Sequence, residues 1–268
     1  TRFTVRFEFK GKGKKEDFAH LHDTGRLKEL LVEGAELLIK KADKEERKTM
    51  KKWQISESIM VGIFLALSGG FMDAYSYINR GKVFANAETG NIILMALKVC
   101  EGKFFEAVNY LIPIVSFAVG VGICEIIKYR KERINMVHWR QILVLLEICA
   151  FIVVGFLPQE MNRVANSIIS MITGIQFATF PKIRGTAIAT TMCTGNLKNG
   201  TQNLYHGIKS GDKDAIEKGL YYYVCISVFI LGTAIGYFTV KFMAEKAILL
   251  AALAMINIFI MMFKEFED

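Results

Sequence analysis

The stretch "ETGNIILM" at 88–95 returns in altered form as "CTGNLKNG" at 193–200, so the polar triplet Thr-Gly-Asn occurs twice, each time among apolar stretches. The triplets need a reason, because polar groups facing lipid find no water to bond. Aligning them sets an offset of 105 residues, which brings Gly69 over Gly174 and Val83 over Ile188. After seven extra residues in the second copy the match resumes, with Phe117 over Phe229, Gly120 over Gly232 and Ile123 over Ile235. Each half then reads as apolar helix, polar-interrupted segment, glycine-bearing helix and apolar helix. That order implies an internal duplication of the kind found in transporters.

The composition points the same way. Of 268 residues 52% are hydrophobic, the mean hydropathy is +0.31 and there are only three prolines, which is too apolar for an ordinary soluble domain. The net charge of +8 comes from Lys and Arg gathered in short clusters between apolar runs. With no basic face interleaved with aromatic residues, no nucleic-acid partner is expected, and the clusters read as topology signals. The five cysteines lie in or beside apolar stretches and form no CxxC pair, so they read as small buried residues. No metal or cofactor is expected, and no cleavable signal peptide.

Six stretches, 59–78, 107–127, 142–157, 167–180, 220–240 and 247–263, come near the ~20 residues that span a bilayer as a helix. Between them lie 83–99 and 186–206, which carry the triplets. The basic cluster "KYRKERINMVHWR" at 128–140 and the "MKKW" at 50–53 both belong on the cytoplasmic side, which requires an even number of crossings between them. That holds if the first triplet segment does not cross. The expected fold is therefore an all-α integral membrane protein of two inverted repeats, over 50–164 and 165–268, each with three membrane helices and one re-entrant or broken segment. The alternative is two parallel four-helix repeats with eight crossings and the N-terminus outside.

Residues 1–49 differ in kind. "RFTVRFEFKG" at 2–11 alternates as a β-strand with one buried face, and the Glu/Lys/Leu-rich run after Asp23 and Thr24 reads as an amphipathic helix. One strand and one helix cannot bury those faces alone. The expectation is a strand-helix extension of separate origin, an engineered fusion ahead of Met50, through which the chain pairs as a homodimer. The rival is a native cytoplasmic oligomerisation element.

A membrane segment that breaks leaves backbone groups unpaired, tolerable only beside protein or a water-filled cavity. Gly90 and Gly195 would permit the break, while Thr89, Asn91, Thr194 and Asn196 would cap the helix that follows and leave its N–H groups facing the cavity. Intramembrane carboxylates are costly unless used, which singles out Asp73, Glu88 and Glu147. Asp73 aligns with Ala178 and Glu88 with Cys193, so the charge lies in the first half. Lys198 would pair with Glu88 across the repeat, Asn86 and Gln176 complete the substrate- or ion-binding set, and Glu147 is a proton-relay candidate. The plainer reading is that Thr, Gly and Asn pack helices together.

"SGGFMDAYSYINRGKVFANAETGNIILMAL" at 68–97 and "TTMCTGNLKNGTQNL" at 190–204 resemble the YoaK-like family of bacterial multi-spanning inner-membrane proteins, a domain of unknown function. The resemblance covers about 55–264 and not 1–49. It implies a multi-pass protein of the bacterial cytoplasmic membrane and supplies no catalytic residue. The functional expectation is a non-enzymatic transporter or channel for a small solute or ion, with its site at the repeat interface. A membrane-embedded enzyme using Asp73, Glu88 or Glu147 is one alternative, and a non-transporting scaffold the other; no HExxH or similar motif favours the enzyme.

Overall fold

Each apolar stretch becomes a helix, and each triplet lies in a helix of its own. The computed structural model describes residues 58–130, 139–183, 186 and 193–263. The chain divides into two compact units, Thr1–Lys52 and Trp53–Asp268, and every described element belongs to the second. The strand and helix expected within 1–49 lie outside the described residues.

In chain order the helices are α1 (Ile59–Asn79), α2 (Glu88–Cys100), α3 (Phe104–Arg130), α4 (Trp139–Gly155), α5 (Asn162–Thr179), α6 (Cys193–Ser210), α7 (Lys213–Met243) and α8 (Leu249–Phe263). A 3-10 turn, Gln159–Met161, leads into α5, and another, Ala244–Ile248, joins α7 to α8. Among the described residues the fold is all-helical, with one isolated bridge between Ile183 and Thr186.

Three helical stretches are long and apolar enough to cross a membrane: Ile59–Asn79, Phe104–Arg130 and Lys213–Met262, the last running through the 3-10 turn. The expectation of six comparable spans was too uniform. Helix α4 has 17 described residues and α8 has 15, while α5 carries Asn166, Ser170, Thr173 and Gln176 on its buried side.

The surface is inverted relative to a soluble protein. Phe105, Val115, Val119 and Ile126 of α3 and Leu231 and Phe238 of α7 stand exposed, whereas Asp73, Arg80, Asn91 and Glu147 are buried. An apolar outside around polar buried groups suits a lipid solvent.

Helices α3 and α5 run side by side in the same direction. Arg163 donates to Asn109, the hydroxyls of Ser116 and Ser167 lie 2.8 Å apart, and Cys124 meets Thr179 at 3.5 Å, in rising order along both helices. They touch most closely at two glycines: a Cβ on Gly120 would strike the Met171 carbonyl, and one on Gly174 the Phe117 carbonyl. Helices α1 and α7 repeat this contact, with Gly70 against the Phe229 carbonyl and Gly232 against the Leu67 carbonyl. Only glycine lets two backbones come this near. In these contacts Gly70 plays the part against α7 that Gly174 plays against α3, whereas the sequence alignment set Gly69 over Gly174.

Helices α1 and α5, by contrast, run in opposite directions. Asn166 donates to the Arg80 carbonyl at 2.7 Å, while Ser170, one turn further along α5, lies level with Ser76, one turn earlier in α1, since both bond Ala85.

Because backbone stands against each of these glycines, Gly120→Ala, Gly174→Ala, Gly70→Ala and Gly232→Ala are each expected to destabilise the protein by about 1–3 kcal/mol, as overpacking does. Gly122→Ala, with nothing within 4 Å of its would-be Cβ, serves as the neutral control. Thermal unfolding in one detergent reads all five; a Gly122→Ala loss equal to the others would contradict the contact.

Candidate functional site

The site is built by the return of the chain after α1. Gly81 and Lys82 take left-handed conformations, φ +90° and +62°, and reverse its direction. The segment that follows is not helical yet is buried, with Val83, Ala85 and Asn86 nearly inaccessible. Its backbone groups must find partners inside the protein.

Side chains supply them. Asn91 accepts from the Phe84 N–H at 3.0 Å and donates to the Phe84 carbonyl, so its amide grips one residue as a neighbouring strand would. Ser76 Oγ accepts from the Ala85 N–H and Ser170 Oγ donates to the Ala85 carbonyl, both at 3.0 Å. Asp73 Oδ1 accepts from Asn86 N–H at 3.0 Å and Ala87 N–H at 3.2 Å. A carboxylate of α1 thus caps the entrance to α2, where Ala87, the N-cap residue, offers no side-chain bond of its own.

Arg80 fixes the other end of this segment. It is fully buried, and its guanidinium donates to Tyr75 Oη, to Asn162 Oδ1 and to the carbonyls of Val154, Leu157 and Pro158. Three of these are carbonyls at and beyond the C-terminal end of α4, which a cation satisfies well. The end of α1 is thereby tied to the start of α5.

Asp73 lies seven residues before Arg80, about 10 Å along the helix axis at 1.5 Å per residue. Helix α2 therefore starts well inside the protein. Its first turn meets the first turn of α6 across a cavity of about 600 Å³, to which both triplets contribute, Thr89 from one and Thr194 and Gly195 from the other. Asp73, Asn86 and Glu88 are its polar wall on the first-half side, and Cys193 and Thr233 lie opposite. Tyr77, Phe84, Phe229 and Tyr237 make the rest of the wall mainly aromatic.

Six expected residues thus converge: Asp73, Asn86, Glu88, Thr89, Thr194 and Gly195. The others do not line the cavity. Asn91 is spent on Phe84 and on Glu88 Oε2, to which it donates at 3.0 Å, and Gly90 is pressed against the Phe84 ring. Gln176 is buried beside Met255, and Asn196 beside Cys225. Lys198 is exposed and forms no ion pair with Glu88. Glu147 is fully buried in α4, among core residues, with both oxygens unpartnered.

The first triplet does not break or cap its helix as expected: it sits within the first turn of α2, after the start at Glu88, and the break lies earlier, at 80–87. Residues 187–192, ahead of the second triplet's helix, lie outside the described residues. The physical reason is that Asp73, reaching across from α1, caps α2 better than Thr or Asn can from inside the turn. Sequence reading also missed Ser76, Arg80 and Ser170, whose roles come from contacts with distant residues.

Among the described residues, a helical fold with an apolar exterior and buried polar groups beside a half-open cavity defines a membrane-protein class. Within it, the chain belongs to the family described as "Protein of unknown function (DUF1275)", which matches residues 61–261. A relative is the UPF0700 transmembrane protein YoaK of Bacillus subtilis (strain 168), 27% identical over 139 residues, 50% of this chain and 61% of that protein. The chain thus spans about three fifths of that relative's length.

The separate origin expected for the N-terminal segment has a counterpart: residues 1–63 match a different family, the SfsA N-terminal OB domain. The sugar fermentation stimulation protein homolog of Acetivibrio thermocellus is 59% identical over 34 residues, 13% of this chain and 15% of that protein. No solved structure matches.

The capping bonds make a direct prediction. Hydrogen bonds to a carboxylate contribute about 1.5–3 kcal/mol, so Asp73→Ala is expected to speed exchange of the Asn86 and Ala87 amides about tenfold to a hundredfold, with α5 amides unchanged. Hydrogen–deuterium exchange resolved to single residues checks it.

Proposed function

We propose that this chain is a non-enzymatic transporter or channel for a small solute or ion in the bacterial cytoplasmic membrane. Its site is the cavity where the two triplet helices meet. The single observation that carries this reading is the convergence of Thr89, Thr194 and Gly195 with Asp73, Asn86 and Glu88 on one cavity, from segments a hundred residues apart in sequence. Packing glue has no need of an open space lined by carboxylates.

The repeat architecture belongs to the same proposal. The glycine contact of α3 with α5 recurs between α1 and α7, which is what exchanging two equivalent halves would produce. The first helices of the halves, α1 and α5, run oppositely, which favours inversion over parallel repeats. Helix α2 has 13 residues, about 20 Å, short of the ~30 Å hydrocarbon core, and it begins level with Asp73. We read it as the outgoing limb of a re-entrant hairpin and α6 as its counterpart from the opposite side. Glu147 stands outside this cavity and is retained as a proton-relay candidate because neither oxygen has a partner.

Side-specific thiol labelling tests the arrangement. Single cysteines placed at Lys103, between α2 and α3, and at Lys213, where α7 begins, should be labelled from opposite faces of the membrane in intact cells. Labelling from one face would mean parallel repeats and would return the triplets to a packing role. Given opposite labelling, Glu88→Gln proteoliposomes should lose solute-driven flux at least tenfold while retaining their melting temperature.

A further inference from the structure

The cavity has a definite electrostatic character. Among the described residues Asp73 and Glu88 are its only charged lining groups, and neither forms an ion pair there. Beside them the Asn86 side chain, 4% exposed, has neither its oxygen nor its nitrogen bonded. A buried amide without partners is costly. Two carboxylates with no countercharge likewise favour a cation brought from outside.

The remaining wall decides what kind of cation. Asp73, Glu88 and Cys193 share the wall, yet no group of three His, Cys, Asp or Glu that could hold a metal occurs among the described residues. A divalent metal would want more oxygen ligands than two carboxylates and one amide give. The aromatic faces suit an ammonium or its apolar body, and the protein displays that chemistry itself: Lys82 Nζ lies 5.0 Å from the Tyr77 ring centre and Lys241 Nζ 4.3 Å from that of Tyr237. Both lysines are exposed and screened by solvent, so they weigh less inside the cavity than the two carboxylates on its wall.

Resting on the solute-site reading above, we propose that the cavity takes a monovalent organic cation. Its ammonium sits among the Asp73 and Glu88 carboxylates. Its apolar body lies against Tyr77, Phe84 and Tyr237. A volume of about 600 Å³ accommodates a small amine with one ring or several alkyl groups. Because protonation of either carboxyl removes the charge that selects the ligand, binding weakens as pH falls.

Cys193, on the cavity wall, reports occupancy without any substitution. The 268-residue chain is reconstituted in liposomes and treated with neutral N-ethylmaleimide, and alkylation of the Cys193 peptide is followed by mass spectrometry. Phenyltrimethylammonium is expected to slow it saturably, at least fivefold, while benzenesulfonate, of similar ring size, leaves it unchanged. Glu88→Gln, which keeps an oxygen for Asn91, should abolish that protection without shifting the melting temperature, and the same loss of protection should appear on lowering the pH. Alkylation that proceeds but is slowed by neither probe, or by the anion, overturns the cation assignment and leaves the solute site standing. Absence of alkylation until the protein is denatured means a cavity closed to solutes, which sinks both.

Discussion

Everything at the centre of this protein depends on one constraint: the non-helical backbone at 83–87 is buried and must be bonded without water. Asp73 and Ser76 reach it from α1, Ser170 from α5 and Asn91 from α2. Remove that set and the chain would have to continue α1 or leave the protein. With it, the chain turns back at Gly81 and Lys82, and α2 starts deep beside Asp73. The cavity exists because a helix begins there.

The same bonds explain why polar residues recur in apolar helices. Ser76 and Asp73 are spaced to meet consecutive peptide groups of the returning chain, and Ser170 and Asn166 of α5 hold it from the other side. Arg80 closes the arrangement by spending its guanidinium on carbonyls beyond α4. Ser76, Ser170 and Arg80 are spent on these bonds, whereas Asp73 and, one step beyond the returning segment, Glu88 also line the open space.

Helix positions and the meeting of the triplets were legible in the sequence because both depend on local pattern: apolar runs of membrane length, and a triplet unusual enough to fix an alignment. What was not legible depends on partners far along the chain. Nothing local marks Ser170 as the partner of Ala85, or Arg80 as a clamp on 154–158 and not a loop charge. The triplet residues looked like caps because Thr and Asn often are; the actual cap, Asp73, comes from another helix. Lys198 and Glu88 looked paired by symmetry, yet Lys198 points to the exterior. The part of Gly70 against α7 lay hidden because an alignment anchored on the triplets set Gly69 over Gly174.

On the proposed repeat, the halves share shape and differ in charge, and the difference has a mechanical meaning. The position of Asp73 is taken in the second half by Phe177 or Ala178, according to the register chosen, and that of Glu88 by Cys193. Neither replacement can cap a helix or hold a cation. Two equal sites would compete for a ligand across a pseudo-twofold axis; a single acidic wall binds in one orientation. The asymmetry is structural as well: Asp73 holds the start of α2 to α1, whereas the residues aligned with it in the second half offer no carboxylate to α6.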